Sequence, residues 1–70
     1  MDPRLRLGLN VQRLRRAKGW SQEELADRSG LHRTYISGIE RGIRNPTLTI
    51  LDKLARALGA DIGTIADAGE

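Results

Sequence analysis

A run of ten residues in the middle of the chain, HRTYISGIER, is rich in side chains that form hydrogen bonds. Within it, Arg33, Thr34, Ser37 and Arg41 follow one another at spacings of one, three and four residues. This spacing brings side chains to one side of an α-helix. An arginine can donate two parallel hydrogen bonds to O6 and N7 of guanine, and hydroxyl groups can donate to or accept from base edges. The pattern therefore predicts a helix whose polar side can contact the major groove of DNA.

A turn of about 100° per residue divides this helix into two sides. Tyr35, Ile36 and Ile39 lie on an apolar side that can be buried, and Glu40 lies at the boundary. The polar side consists of Arg33, Thr34, Ser37, Gly38 and Arg41. Glycine is costly inside a helix, so Gly38 is predicted to leave room for a close approach to the floor of the groove. The alternative, which the wheel alone leaves open, is an ordinary solvated face.

Helical periodicity and capping signals elsewhere predict an all-α chain. Ser21 and Glu24 form a capping box at the start of the second helix, and Trp20 with Leu25 can close it as a hydrophobic staple. Glycines follow the predicted ends of the first four helices. The predicted helices run from Leu5 to Lys18, from a cap at Ser21 to Ser29, from a cap at His32 to Arg41, from a cap at Thr47 to Leu58, and briefly onward from a cap at Asp61.

The second and third predicted helices are joined at a glycine turn. Ala26 lies four residues before Gly30, and Ile36 lies six residues after it. A small residue, a glycine turn and a branched residue at these spacings allow two helices to pack closely across a sharp corner, as a helix-turn-helix requires. The alternative is any two adjacent helices of a small bundle. The helix-turn-helix is favoured because the other apolar positions are filled by Leu25, Leu31 and Ile39.

Charge is unevenly distributed along the 70 residues, which carry a formal net charge of +3. Residues 1–20 hold six basic side chains and one acidic one, whereas residues 46–70 hold two basic and four acidic ones. This asymmetry is typical of a protein that binds a polyanion on one side, although ordinary solubilising charge would also account for it. The length predicts one domain, 1–70.

Composition argues against several classes of protein. There is no cysteine and one histidine, His32, so neither a disulfide scaffold nor a metal site is expected, and no cofactor or small-molecule effector is predicted. An enzyme is not expected, because His32 is the only candidate imidazole base and a substrate pocket would consume most of a small core. No apolar run reaches the roughly 18 residues of a membrane span, and aromatic residues are too few for a membrane-surface helix. We therefore predict a cytoplasmic protein associated with the nucleoid.

The segment SQEELADRSGLHRTYISGIERGIRNPTLTILDKLARALG resembles the Cro/C1-type, or XRE, family of helix-turn-helix proteins. The resemblance covers about Leu7 to Ile65, and HRTYISGIERGIRNP is most similar to the controller proteins of restriction-modification systems. It implies a compact five-helix, lambda-repressor-like DNA-binding domain with the helix-turn-helix at about 21–41. It also implies a homodimer on a near-palindromic operator in double-stranded DNA, with the third helix in the major groove.

The resemblance also assigns roles to individual residues. Carried over by position, the base-reading residues are Arg33, Thr34, Ser37 and Gly38. The residues that would contact the DNA backbone are Gln22, Tyr35, Arg41, Arg44, Asn45 and, less strongly matched, Arg16. Arg15 and Glu40 match a structural ion pair between the first and third helices. Ile62 and Ile65 would form much of a dimer interface.

Two classes of function remain at this stage. The first is a sequence-specific transcriptional regulator, which uses every feature of the third helix. The second is a protein-interaction module, such as an antitoxin or adaptor, in which DNA binding is secondary. The basic first third of the chain favours the regulator.

Overall fold

In the computed structural model, which describes residues 2–66, five α-helices and no strands are present among the described residues. The all-α prediction is therefore confirmed, and the predicted helix ends agree with the observed ones to within two residues. In chain order the helices are α1 Pro3–Ala17, α2 Gln22–Ser29, α3 Arg33–Glu40, α4 Leu48–Leu58 and α5 Ile62–Ala66.

Side-chain caps fix the start of each helix. Ser21 Oγ accepts a hydrogen bond from the Glu24 backbone N–H at 3.0 Å, but the Glu24 carboxylate pairs with Arg28 Nε at 2.6 Å, so only half of the predicted capping box forms. Thr47 Oγ1 accepts from the Ile50 N–H at 3.3 Å. Asp61 accepts from the N–H and hydroxyl of Thr64, and these hydrogen bonds lower the pKa of its carboxyl below the usual range. The predicted helix starts thus have a physical cause in hydrogen bonding.

All five helices contribute to a single core. The largest fully buried side chains come from every helix, so each predicted apolar stripe faces inward. Burial of such stripes is what holds short helices together, since helices of this length are marginal alone. The fully buried side chains are Val11, Leu25, Ile36, Ile39, Leu54 and Ile65.

The burial of Ile65 corrects one sequence prediction. Its side chain was expected at a dimer interface, but it is 0% exposed and lies in the core between α5 and its neighbours α1 and α4. Asn10 Nδ2 also donates to the Ile65 carbonyl oxygen at 3.0 Å, which ties α5 to α1. A helix of five residues has few apolar positions, and the monomer needs this one. Ile62 is only partly buried.

Gly8 allows α1 to lie directly against the end of α3. A Cβ atom at this position would lie 2.7 Å from the Glu40 carbonyl oxygen and closer still to that of Ile39. Such distances do not occur between real Cβ atoms and backbone. The glycine therefore sets the distance between α1 and α3, a role that the sequence does not reveal because helical periodicity does not show which backbone segments approach each other.

Candidate nucleic-acid interface

The corner between α2 and α3 is tight. Residues 30–32 join the two helices, and Gly30 adopts a left-handed conformation with φ of 73°. The Leu31 N–H donates to the Ala26 carbonyl oxygen at 3.0 Å, and both Ala26 and Ile36 are buried. A three-residue turn with glycine between two packed helices is the geometry of a helix-turn-helix. The Ala26, Gly30 and Ile36 pattern therefore predicted the corner correctly.

The same corner contains a buried polar residue, Ser29, whose hydroxyl has a hydrogen-bond partner. Ser29 is 8% exposed, and its hydroxyl donates to the Ala26 carbonyl oxygen at 3.3 Å. A buried hydroxyl with a hydrogen-bond partner costs little, so serine is accommodated at this buried position.

A buried ion pair fixes the far end of α3. Arg15 donates from Nε to Glu40 Oε2 at 2.7 Å and from a terminal nitrogen to Oε1 at 2.9 Å, and the two side chains are 9% and 2% exposed. The other terminal nitrogen of Arg15 donates to the Trp20 carbonyl oxygen at 2.7 Å. The hydrogen bonds to Glu40 raise the pKa of Arg15 above its usual value. The predicted pair is thus present, and it locks α1 to α3.

Gln22 completes this network. Its Nε2 donates to Glu40 Oε1 at 3.0 Å from the first turn of α2. Gln22 was expected to contact the DNA backbone, and the structure adds this second contact, which the sequence did not reveal. The carboxylate of Glu40 is therefore held by side chains from both α1 and α2.

In the described part of the chain, the outward side of α3 and the loop after it carry arginines that have no carboxylate partner. Arg33 and Thr34 are exposed, and Ser37 is half-buried beside them. Within residues 2–66, no carboxylate lies within 4.0 Å of the guanidinium groups of Arg33, Arg41 or Arg44, whereas Arg4, Arg28 and Arg56 on other surfaces pair with Asp2, Glu24 and Asp52. Guanidinium groups that are not neutralised by carboxylates, lying beside hydroxyl groups, suit a polyanionic partner with hydrogen-bonding edges.

Gly38 does not belong to this outward side, which corrects its assignment as a base-reading residue. It is buried, and a Cβ added to it would lie 2.6 Å from Arg44 Cγ. The loop after α3 folds back, with the Ile43 N–H donating to the Gly38 carbonyl oxygen at 3.0 Å, and brings Arg44 across the glycine. The space that Gly38 leaves is therefore filled by a side chain of the same chain and not by the groove floor.

This crossing positions the guanidinium of Arg44. Its Cζ lies 5.1 Å from the centroid of the Tyr35 ring, which is within the range of a cation–π contact. Tyr35 is half-buried, and Arg44 and Asn45 are exposed after the end of α3. Two of the residues assigned to DNA-backbone contact, Tyr35 and Arg44, thus lie together. Arg16 is exposed on the last turn of α1, and no hydrogen bond or ion pair in the described part of the chain links it to α3.

Gly38→Ala is expected to weaken DNA binding while leaving the fold intact. The new methyl group would displace Arg44 from Tyr35, whereas alanine in a helix interior gains up to about 1 kcal/mol over glycine. Fluorescence titration on specific and unrelated duplexes should show an equal loss on both, and Arg44→Ala should give the same loss. A change of base preference in Gly38→Ala would contradict this assignment and restore the original one.

His32 makes a contact that the sequence did not predict. It caps α3 as expected, with Nδ1 accepting the Thr34 N–H at 3.1 Å, but Nδ1 also lies 2.7 Å from Thr34 Oγ1. The capping position was visible in the sequence, but the rotamer that brings the hydroxyl to the ring was not. One residue of the polar side of α3 is thus already hydrogen-bonded within the chain.

Other kinds of site find no support in residues 2–66. No helix there has the length and apolar character needed to cross a membrane. Likewise, no three acidic or histidine side chains in that range are grouped so that they could hold a metal ion.

Comparison with known proteins identifies the family. A family model described as "Helix-turn-helix" matches residues 11–65. The chain belongs to this family, in its Cro/C1 or XRE type. The matched region of this helix-turn-helix protein includes α2, α3 and the turn between them. The resemblance predicted from the sequence is confirmed.

Named relatives of this helix-turn-helix protein are regulators. It is 54% identical over 59 residues to an uncharacterized HTH-type transcriptional regulator, y4dJ, of Sinorhizobium fredii, covering 84% of this chain and 77% of the relative. The crystal structure of the restriction-modification controller protein C.AhdI from Aeromonas hydrophila superimposes with a TM-score of 0.89 at 43% identity, covering 93% of this chain and 98% of that one. The controller protein C.Esp1396I, solved as a tetramer in complex with its natural 35 base-pair operator, gives a TM-score of 0.81 at 38% identity, covering 87% of this chain and 80% of that one.

Proposed function

We propose that this protein is a sequence-specific transcriptional regulator that binds a near-palindromic operator in double-stranded DNA as a homodimer. The observation that carries the proposal is the outward side of α3, where Arg33, Thr34 and Ser37 are accessible while the opposite side is buried in the core. The helix is held rigidly by the α2 corner and by Glu40, so its side chains are presented in a fixed register. The related controller protein in complex with its operator supports this use of the fold.

Two sets of side chains have different tasks in this proposal. Arg33, Thr34 and Ser37 read base edges in the major groove, where each base pair presents a distinct pattern of donors and acceptors. A second set contacts phosphates, which fixes the register on the duplex and makes affinity depend on salt. This second set comprises Gln22, Tyr35, Arg41, Arg44, Asn45 and Arg16.

Arg33→Ala and Arg41→Ala are expected to differ in kind. Loss of Arg33 should cost about 1–3 kcal/mol on the preferred operator and relax base choice at one position, whereas loss of Arg41 should weaken all sequences alike and reduce the salt slope by about 1. Titration of the preferred and unrelated duplexes at several salt concentrations measures both effects. Arg56→Ala is the matched control, because Arg56 is paired with Asp52 on α4.

If Arg33→Ala lowered affinity equally on every sequence, base reading by Arg33 would be refuted. A change in Arg56→Ala as large as that in Arg41→Ala would show that only total charge matters.

The second copy is proposed to pack against α5 around Ile62, which is partly buried in the monomer. A two-fold arrangement would bring two copies of α3 to successive faces of the major groove, about 34 Å apart. Ile65 is buried in the core of the monomer and therefore has no part in this interface.

The proposed regulator works in the cytoplasm beside the nucleoid and without enzymatic activity. DNA is favoured over a protein as the partner of α3, because the charged groups that lack partners there are all cations. A binding assay with a random duplex pool at low salt tests this choice directly. Binding of a co-purified protein with no binding of any duplex would favour the antitoxin or adaptor function instead.

A further inference from the structure

The contact between His32 and Thr34 determines which atoms carry hydrogen at the start of α3. The Thr34 backbone N–H donates to Nδ1 of His32 at 3.1 Å, so this nitrogen must be an acceptor and cannot itself be protonated. The neutral ring then carries its hydrogen on Nε2. His32 is exposed, as is Thr34, and the contact lies on the surface that we propose faces DNA.

The same geometry fixes the hydroxyl of Thr34. Its Oγ1 lies 2.7 Å from the same nitrogen, which is an ordinary distance for a hydrogen bond from a hydroxyl group. Because Nδ1 offers a lone pair, an Oγ1 lone pair turned toward it would be repelled, and the hydroxyl hydrogen must lie between the two atoms. The Thr34 N–H and O–H therefore share one acceptor. The two lone pairs of Oγ1 are left for an outside partner.

We propose that His32 is a positioning residue that makes Thr34 an acceptor-only reader of base edges. This rests on the proposed function, in which α3 lies in the major groove. An acceptor in that groove is complementary to the N6 amino group of adenine and the N4 amino group of cytosine. It faces unfavourably the O6 of guanine and the O4 of thymine, which are themselves acceptors. At the base that Thr34 contacts, the protein selects adenine or cytosine.

The hydrogen bond to His32 also prevents the Thr34 hydroxyl from acting as a donor to DNA. A free threonine hydroxyl rotates and serves as donor or acceptor, so it discriminates poorly between amino and carbonyl groups. In this protein the imidazole ring of His32, at the N-cap of α3, prevents the Thr34 hydroxyl from rotating. Within residues 2–66, the hydroxyl of Ser37 on the outward side of α3 has no hydrogen-bond partner that fixes its rotation, so it can still donate or accept and serves as the internal comparison.

The test begins with sites selected from random duplex DNA by the full chain. In parallel selections, Thr34→Val removes the hydroxyl with little change of shape, and the position whose base choice it alters is the one that Thr34 reads. The wild type is expected to hold adenine or cytosine there. Replacing that adenine by purine, or that cytosine by 2-pyrimidinone, deletes the amino group and should weaken wild-type binding about fivefold, the ratio for one neutral hydrogen bond. The same analogue at an uncontacted position controls for weakened base pairing.

A second variant separates positioning from folding. In His32→Gly the acceptor is removed, but glycine is tolerated as a helix cap with a loss of only a few tenths of a kcal/mol relative to the best capping residues. The Thr34 hydroxyl should then be free to donate as well as accept. The variant should therefore bind sites with guanine or thymine at that one position nearly as well as sites with adenine or cytosine. The base preference at the base pair that Arg33 contacts should be unchanged. Thermal unfolding verifies that the variant is folded.

The tautomer can be observed without DNA, because His32 is the only histidine of the chain. Two-bond proton–nitrogen correlation spectra of the neutral ring, recorded at alkaline pH, should show Nδ1 without hydrogen and Nε2 with it. Hydrogen on Nδ1, or guanine or thymine at the Thr34-dependent position, would overturn the proposal. A clear Arg33-dependent consensus that Thr34→Val leaves unaltered would also overturn it while leaving the proposed function standing. Absence of any consensus would instead refute the proposed function.

Discussion

Replacing Arg15 by alanine is expected to lower the free energy of unfolding by about 3–5 kcal/mol, the cost of leaving one partner of a buried ion pair uncompensated. Among residues 2–66, the Glu40 carboxylate would retain only Gln22 as a side-chain hydrogen-bond donor, with the Glu40 side chain 2% exposed. A domain of this size has a total stability of roughly 4–10 kcal/mol, so the variant should lie close to unfolding at room temperature. Thermal and denaturant unfolding followed by circular dichroism measures the loss.

Two further variants show whether burial is the cause. Arg56→Ala breaks an ion pair of similar length whose side chains are 80% and 46% exposed, and it should cost no more than about 0.5 kcal/mol. Replacing both Arg15 and Glu40 by methionine and leucine removes the charges together and should be less harmful than either alanine variant alone. If Arg15→Ala and Arg56→Ala were equally mild, the pair would contribute nothing to stability.

Gly8→Ala is expected to be the second most damaging substitution, with a loss of about 3 kcal/mol, at the upper end of values for overpacking. The added methyl group meets the backbone carbonyl groups of Ile39 and Glu40, which cannot move aside as a side chain can. Relief of the clash requires α1 and α3 to separate. The Arg15–Glu40 pair beside this contact would lengthen, so DNA affinity should fall together with stability.

Gly63→Ala is the matched control for this prediction. Both glycines lie in helices, and among residues 2–66 a Cβ at Gly63 would meet only Asp61 Oδ1, at an ordinary contact distance of 3.5 Å. Alanine there should raise stability by up to about 1 kcal/mol. The same chemical change should thus have opposite signs at two sites. A stabilising Gly8→Ala would mean that α1 and α3 are less closely packed than described.

Local physics explains why the helices and the corner were predictable. Caps such as Ser21 and Thr47, and the left-handed Gly30, act within a few residues of their own position, so the sequence displays them directly. Periodicity likewise identified the buried side of α3, because Ile36 and Ile39 recur with the helical repeat. These features require no knowledge of distant contacts.

Features that depend on distant segments were not predictable in the same way. Gly38 was assigned to the groove, but Arg44 folds back over it from the following loop. Ile65 was assigned to a dimer, but α1 and α4 bury it within the monomer. The close approach at Gly8 and the bond from Gln22 to Glu40 also join separate helices. Each depends on how elements meet, which neither spacing nor composition records.

In the proposed function, α3 reads base pairs through Arg33 and its neighbours. The most direct measurement is selection of bound sites from random duplex DNA, carried out in parallel with the wild type and Arg33→Ala. We expect the wild type to yield two symmetric half-sites about one helical turn, or a multiple of it, apart. The variant should yield the same symmetry with one position in each half-site degenerate. Identical consensus sequences from both proteins, or no consensus from the wild type, would contradict the claim.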